Sequence, residues 1–192
     1  MTVSLSRCLI LCITLVFSAL IVAPSWIPIR WPTSSSLPFG VYWLRTSDIL
    51  DSLIPRGSIV LVCLPRKLAA MGLERGYLRH GRCSDGVEPV GKVVAAIGGD
   101  IVRVSASQTT VNGAPIPRSA RRAKDSQGRP LSGISIGQFE LAPGEVWLLT
   151  NHHPRSWDSR YFGPVPAANI QGLLCPLWQL DRMLESPFPG CR

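Results

Sequence analysis

The sequence predicts a mainly β domain behind one N-terminal apolar helix. Three observations lead there: one long uncharged stretch near the start, a series of short apolar runs each closed by Gly or Pro, and no long run of helical period after it.

Cys8 to Ile29 contains no charged residue. As a helix its about 22 residues would reach about 33 Å, against a hydrocarbon core of about 30 Å, so it reads as a transmembrane anchor. The competing reading is a cleavable secretory signal, with Ile21, Val22 and Ala23 as a poor cleavage site before Pro24. A short N-terminus followed by a long domain leaves that domain translocated, so both readings export it. The expected division is residues 1–29 as anchor or signal and 30–192 as one periplasmic domain. Pro24, Pro28 and Pro32 form a stiff tether between the two.

Within the domain, Ser58 to Leu64, Val90 to Ile97, Ile101 to Val104, Phe139 to Leu141 and Glu145 to Thr150 are the strand candidates. Asn112-Gly113, between Thr109-Thr110-Val111 and Ala114-Pro115-Ile116, marks a two-residue hairpin. Lys67 to Arg79 is read as one short helix, and Arg118 to Gly137 as a long exposed loop.

Hydrophobic residues at 46% and charged residues at 17% describe a core-forming chain rather than a disordered one. A net charge of +8 suits nucleic acid or an anionic membrane surface. The cations are scattered, and their densest group (Arg118, Arg121, Arg122, Lys124) lies among Pro, Ser, Gly and Gln as a solvated loop would. The membrane is the expected neighbour, and nucleic acid is not. Cys8 and Cys12 fall in the apolar stretch. Cys63, Cys83, Cys175 and Cys191 could form up to two disulfides in an oxidising compartment, with Cys63 and Cys83 the first choice because they bracket one insertion. No Cys/His grouping has zinc-ligand spacing, and no metal or other cofactor is expected.

Three segments could carry chemistry. Ser34-Ser35-Ser36-Leu37-Pro38-Phe39-Gly40-Val41-Tyr42 reads either as a Ser-rich linker or as a nucleophile awaiting a base. Lys92 sits alone in the apolar run Val90 to Ile97. Burial there would destabilise its ammonium and make it a general base, unless the side chain snorkels to solvent. Thr150 to Val165 is polar, irregular and rich in aromatics; its Asp158 and Arg160 could simply pair, and His152 or His153 raises the alternative of a Ser-His-Asp triad.

Taken in order, Ser36-Leu37-Pro38 with Gly40 and Tyr42, Arg56-Gly57-Ser58-Ile59-Val60, Lys92 leading to Gly98-Gly99-Asp100, Val111-Asn112-Gly113, and Ser156-Trp157-Asp158-Ser159-Arg160-Tyr161-Phe162-Gly163 resemble the boxes of the type I signal peptidase family. The spacing around Ser36 and the insertion from Gly76 to Cys83 are most similar to the branch that serves plasmid conjugation. Asn151-His152-His153 departs from the Gly-Asp-Asn usual in housekeeping members, which makes general preprotein processing the secondary reading, with an inactive periplasmic assembly component as a further one.

The resemblance implies a signal-peptidase-like β-rich catalytic domain and a serine endopeptidase with Ser36 as nucleophile and Lys92 as general base. It further implies Ser34 and the Ser36 N–H as oxyanion donors, Ser156 as the residue that orients the lysine amine, and Asp158 and Arg160 as supports. The implied substrate is a transfer pilin precursor, cleaved or cyclised at the inner membrane, with other conjugative transfer proteins as partners.

Overall fold

A computed structural model describes residues 12, 14, 28–31, 36–46, 54–131, 133–150, 152–179 and 191. Nearly all of the expected anchor lies outside the described residues, and among those described no helix is long and apolar enough to cross a membrane. Its last residue departs from expectation. Ile29–Arg30 is a short strand, β1, whose partners are Trp43 and Tyr42. Pro28, lacking an N–H for a helix, instead accepts a hydrogen bond from Leu44 N at 2.6 Å on its carbonyl. The ladder thus claims the end of the apolar stretch.

Ten further strands follow among the described residues: β2 (Gly40–Arg45), β3 (Ile59–Val62), β4 (Val90–Ile97), β5 (Ile101–Val104), β6 (Thr109–Val111), β7 (Ala114–Ile116), β8 (Gly137–Glu140), β9 (Glu145–Leu149), β10 (Val165–Pro166) and β11 (Ile170–Gln179). They form a seven-stranded sheet in the order β1-β2-β11-β3-β4-β9-β10 and a four-stranded sheet in the order β7-β6-β5-β8. The mainly β expectation describes this domain, and β4 and β5 begin and end where the apolar runs do. Asn112 and Gly113 both take positive φ, 49° and 84°, as the hairpin joining β6 and β7 requires. Neither β2 nor β11 was anticipated, and β11 is the longest of the described strands.

The helix expected over Lys67 to Arg79 is shorter, α1 (Arg66–Glu74). It belongs to an insertion between β3 and β4, closed by a Cys63–Cys83 disulfide. A second disulfide joins Cys175 to Cys191. Residues 118–137 are mainly irregular, as expected, but are not simply exposed. Ser119 is buried because its hydroxyl accepts from Thr109 N at 2.8 Å and donates to Ile116 O at 2.6 Å. Arg122 N donates to the Tyr161 hydroxyl at 2.9 Å. Backbone groups of this stretch find partners on the body of the domain, and this draws the stretch inward.

Apolar burial is split into three clusters. The largest lies under the insertion and joins β3, β4 and β9 through Val60, Val62, Val94 and Leu148. Trp147 centres a second, between the two sheets. Leu37, Tyr42, Leu44, Ile59 and Leu174 make the third, directly beneath the segment that carries Ser36.

Candidate active site

Ser36 precedes β2 and is held from two sides. Leu37 sinks into the third cluster, and the Thr150 hydroxyl donates to the Ser36 carbonyl at 2.6 Å. Two residues on, the Tyr42 hydroxyl fastens the Pro38 carbonyl at 2.8 Å. Gly91 makes room for Leu37: a Cβ there would stand 2.6 Å from Leu37 Cδ1, so any larger residue would force the Leu37 side chain to shift.

Lys92 occupies the buried register of β4 with Val94 and Ala96, opposite Val60 of β3. Only 4% of it is exposed, so the snorkelling alternative fails. Its Nζ donates to Ser36 Oγ at 2.8 Å and to Ser156 Oγ at 2.6 Å, and the two hydroxyls stand 3.2 Å apart. On the other side of β4, β9 ends at Leu149, opposite Val93. The chain therefore leaves the ladder just before the level of Lys92 and returns Ser156 to the amine by a loop. Burial is the main reason that the Lys92 pKa falls from 10.5 to about 8; Asp158 pulls it up and Arg160 pushes it down by smaller amounts.

Asp158 and Arg160 form a fully buried bidentate pair, Nε to Oδ1 at 2.8 Å and Nη2 to Oδ2 at 2.7 Å. The pair organises the loop around Ser156. Arg160 also donates to the carbonyls of Ser156 (3.2 Å) and Ala120 (3.0 Å), while Asp158 caps the short helix α2 (Ser159–Phe162) by accepting from Arg160 N. Ser159 Oγ accepts from Leu148 N at 2.9 Å, which docks α2 onto β9. The triad alternative has no geometry: His153 Nδ1 accepts from Arg155 N, Asp158 is occupied by Arg160, and Ser36 is bonded to the lysine. Ser34, expected as an oxyanion donor, and Asn151 lie outside the described residues.

The sequence reading left out Thr150 and Gly91, as well as the brace behind Ser156. Trp157 packs between Tyr77 of the insertion and Phe162 of α2, with ring centroids 5.3 Å and 5.2 Å away. Gly72 of α1 permits that approach, since a Cβ there would lie 3.0 Å from the Trp157 ring. A glycine interrupting an apolar strand beside a lone lysine is a signal of close backbone approach and could have exposed Gly91. Thr150 carries no such mark. Ser36, Lys92 and Ser156 open into a groove of about 670 Å³ whose lining includes Leu37, Tyr77 and Trp157.

This set of a serine hydroxyl on a buried lysine amine, presented in a groove of an antiparallel β domain, has a counterpart in sequence families. The family described as "Signal peptidase, peptidase S26" matches residues 2–178, and the chain belongs to that family, which implies a serine peptidase. Its curated relatives come from conjugation. A "Probable conjugal transfer protein TraF" of Sinorhizobium fredii is 43% identical over 118 residues, 61% of each chain, so this match spans less than two thirds of that relative. A "Plasmid transfer protein TraF" of Escherichia coli is 33% identical over 77% of this chain and 81% of its own length. Among solved structures, a signal peptidase I from Enterococcus faecalis V583 aligns with a TM-score of 0.37 at 20% identity, covering 64% of this chain and 97% of that one.

Proposed function

We propose that the chain is a serine endopeptidase of a plasmid conjugation system, held at the inner membrane with its β domain in the periplasm, that processes a transfer pilin precursor through a Ser36–Lys92 dyad. The observation that carries this reading is the buried Lys92 amine 2.8 Å from Ser36 Oγ, with its pKa lowered to about 8. The conjugal transfer names of the relatives support the setting.

Neutral Lys92 takes the Ser36 proton as Oγ attacks the scissile carbonyl, and Ser156 keeps the amine aimed at Oγ. The Ser36 N–H and the Ser34 hydroxyl receive the oxyanion; such donors are worth about 3 kcal/mol each. The lysine ammonium then protonates the leaving amine. Water resolves the acyl-enzyme, or the pilin's own N-terminal amine does so and closes a ring.

Co-expression with a pilin precursor tests the assignment by intact mass. Mature pilin is expected with the wild type and with Ser35→Ala, and unprocessed precursor with Ser36→Ala. Full processing by Ser36→Ala would remove Ser36 as nucleophile.

A further inference from the structure

The groove that contains Ser36 and Lys92 is also lined by Arg122, Lys124 and Arg155. All three are exposed. Among the described residues none of them is ion-paired with a carboxylate. Of the two acidic residues on the lining, Asp125 is already spent: it accepts from Tyr77 Oη at 2.8 Å, from Arg129 Nε at 2.7 Å, and from the backbone N–H groups of Gln127 and Arg129 at 2.9 Å each. Among the described residues of the lining, only Glu88 is left to offset the cations.

These cations do not ride on a loose loop. Arg122 N is bonded to Tyr161 Oη, Leu131 N to Ala123 O at 2.9 Å, and Lys124 bridges to Pro130. The far end of the same stretch is fastened to the insertion by Arg129 Nη2 on Arg75 O at 2.7 Å and Arg75 Nη1 on Pro130 O at 2.8 Å. Arg155 is fixed differently, by adjacency to Ser156. A positive wall with a tethered backbone and unspent charge, next to a candidate nucleophile, favours ligands of opposite charge and orients them on entry.

We infer that the groove selects a polypeptide segment carrying carboxylates close to the bond presented to Ser36, read by Arg122, Lys124 and Arg155; this rests on the peptidase reading above. Binding without turnover separates the two. The full-length Ser36→Ala chain in detergent is titrated into a labelled Ala-rich peptide containing two Glu residues, and into the same peptide with Gln in their place. At low ionic strength the Glu peptide is expected to bind about tenfold more tightly, the scale of a few exposed ion pairs. Salt should erode the difference. Adding Arg122→Gln, Lys124→Gln and Arg155→Gln should bring the two affinities together, and restoring Arg122 as Lys should recover part of the preference. Equal affinities in the parent, or a preference that survives the three substitutions, would overturn the inference. If the preference holds but chains with Ser36 intact cut neither peptide nor pilin, the peptidase reading fails and the carboxylate site stands.

Discussion

In the proposed dyad Lys92 works only if it is buried, and burial is what destabilises it. With a pKa near 10.5 about one amine in 3000 would be neutral at pH 7, and with the value of about 8 about one in ten is. Cleavage of a pilin-derived peptide should therefore rise with pH through about 8, and Lys92→Arg should be as inactive as Lys92→Ala, because guanidinium holds its proton. Substantial activity in Lys92→Arg would refute the dyad. Stability should follow the same group in a fixed direction. The folded pKa lies below the unfolded one, so the burial penalty is complete below about pH 8 and disappears as pH rises toward 10.5. Lys92→Met is expected to be more stable than the wild type by about 3 kcal/mol at pH 7, with the gap closing by pH 10.5 in denaturant titrations. Asp158 pulls the lysine pKa up, so Asp158→Asn should move any remaining pH profile to lower pH while costing about 3–5 kcal/mol of stability, the effect of leaving Arg160 buried without its partner. Of these residues, a lone lysine in an apolar run was conspicuous in the sequence. Ser36 and Ser156 were not: nothing in a run of three serines says which one is pinned by Leu37 and Thr150, and only the family resemblance singled them out.

Among the elements, strands written as short apolar runs bounded by Gly or Pro were the readable ones. β4 is an apolar run broken at Gly91 and Lys92 and stopped by Gly98-Gly99, β5 starts just beyond that turn, and the β6–β7 turn is marked by Asn112-Gly113. β11 was concealed by Gly172 and Pro176, which argue against a central strand; the ladder absorbs the proline with a register shift between Pro176 and Trp178. The insertion shows how an element remote from the chemistry reaches it. It braces Trp157, the residue after Ser156, through Tyr77, and the Cys63–Cys83 disulfide closes it. Replacing both cysteines by Ala should lower the unfolding free energy by about 3 kcal/mol, measured in urea with the Cys175–Cys191 bridge left oxidised. A double variant with unchanged stability would show that the bridge adds nothing to the fold.

For the whole molecule, the seven-stranded order has a consequence in time. Among the described strands, β2, which follows Ser36, has only β1 and β11 as ladder partners, and β11 lies between β2 and β3. Among the described residues, the strand that follows Ser36 is therefore joined to the rest of the sheet only through residues 170–179, the last of the described strands in chain order. Contacts this far apart in sequence form slowly and late. A chain ending at Asn169 keeps Ser36, Lys92 and Ser156, yet it is expected to cleave nothing; turnover of a pilin-derived peptide by that truncation would show that β2 can dock without β11. If the domain is exported as proposed above, a chain emerging N-terminus first exposes Ser36 long before the strand that seats it. Under that proposal Ser36 has no seat during the passage, and the proposed dyad is assembled only once residues 170–179 have arrived.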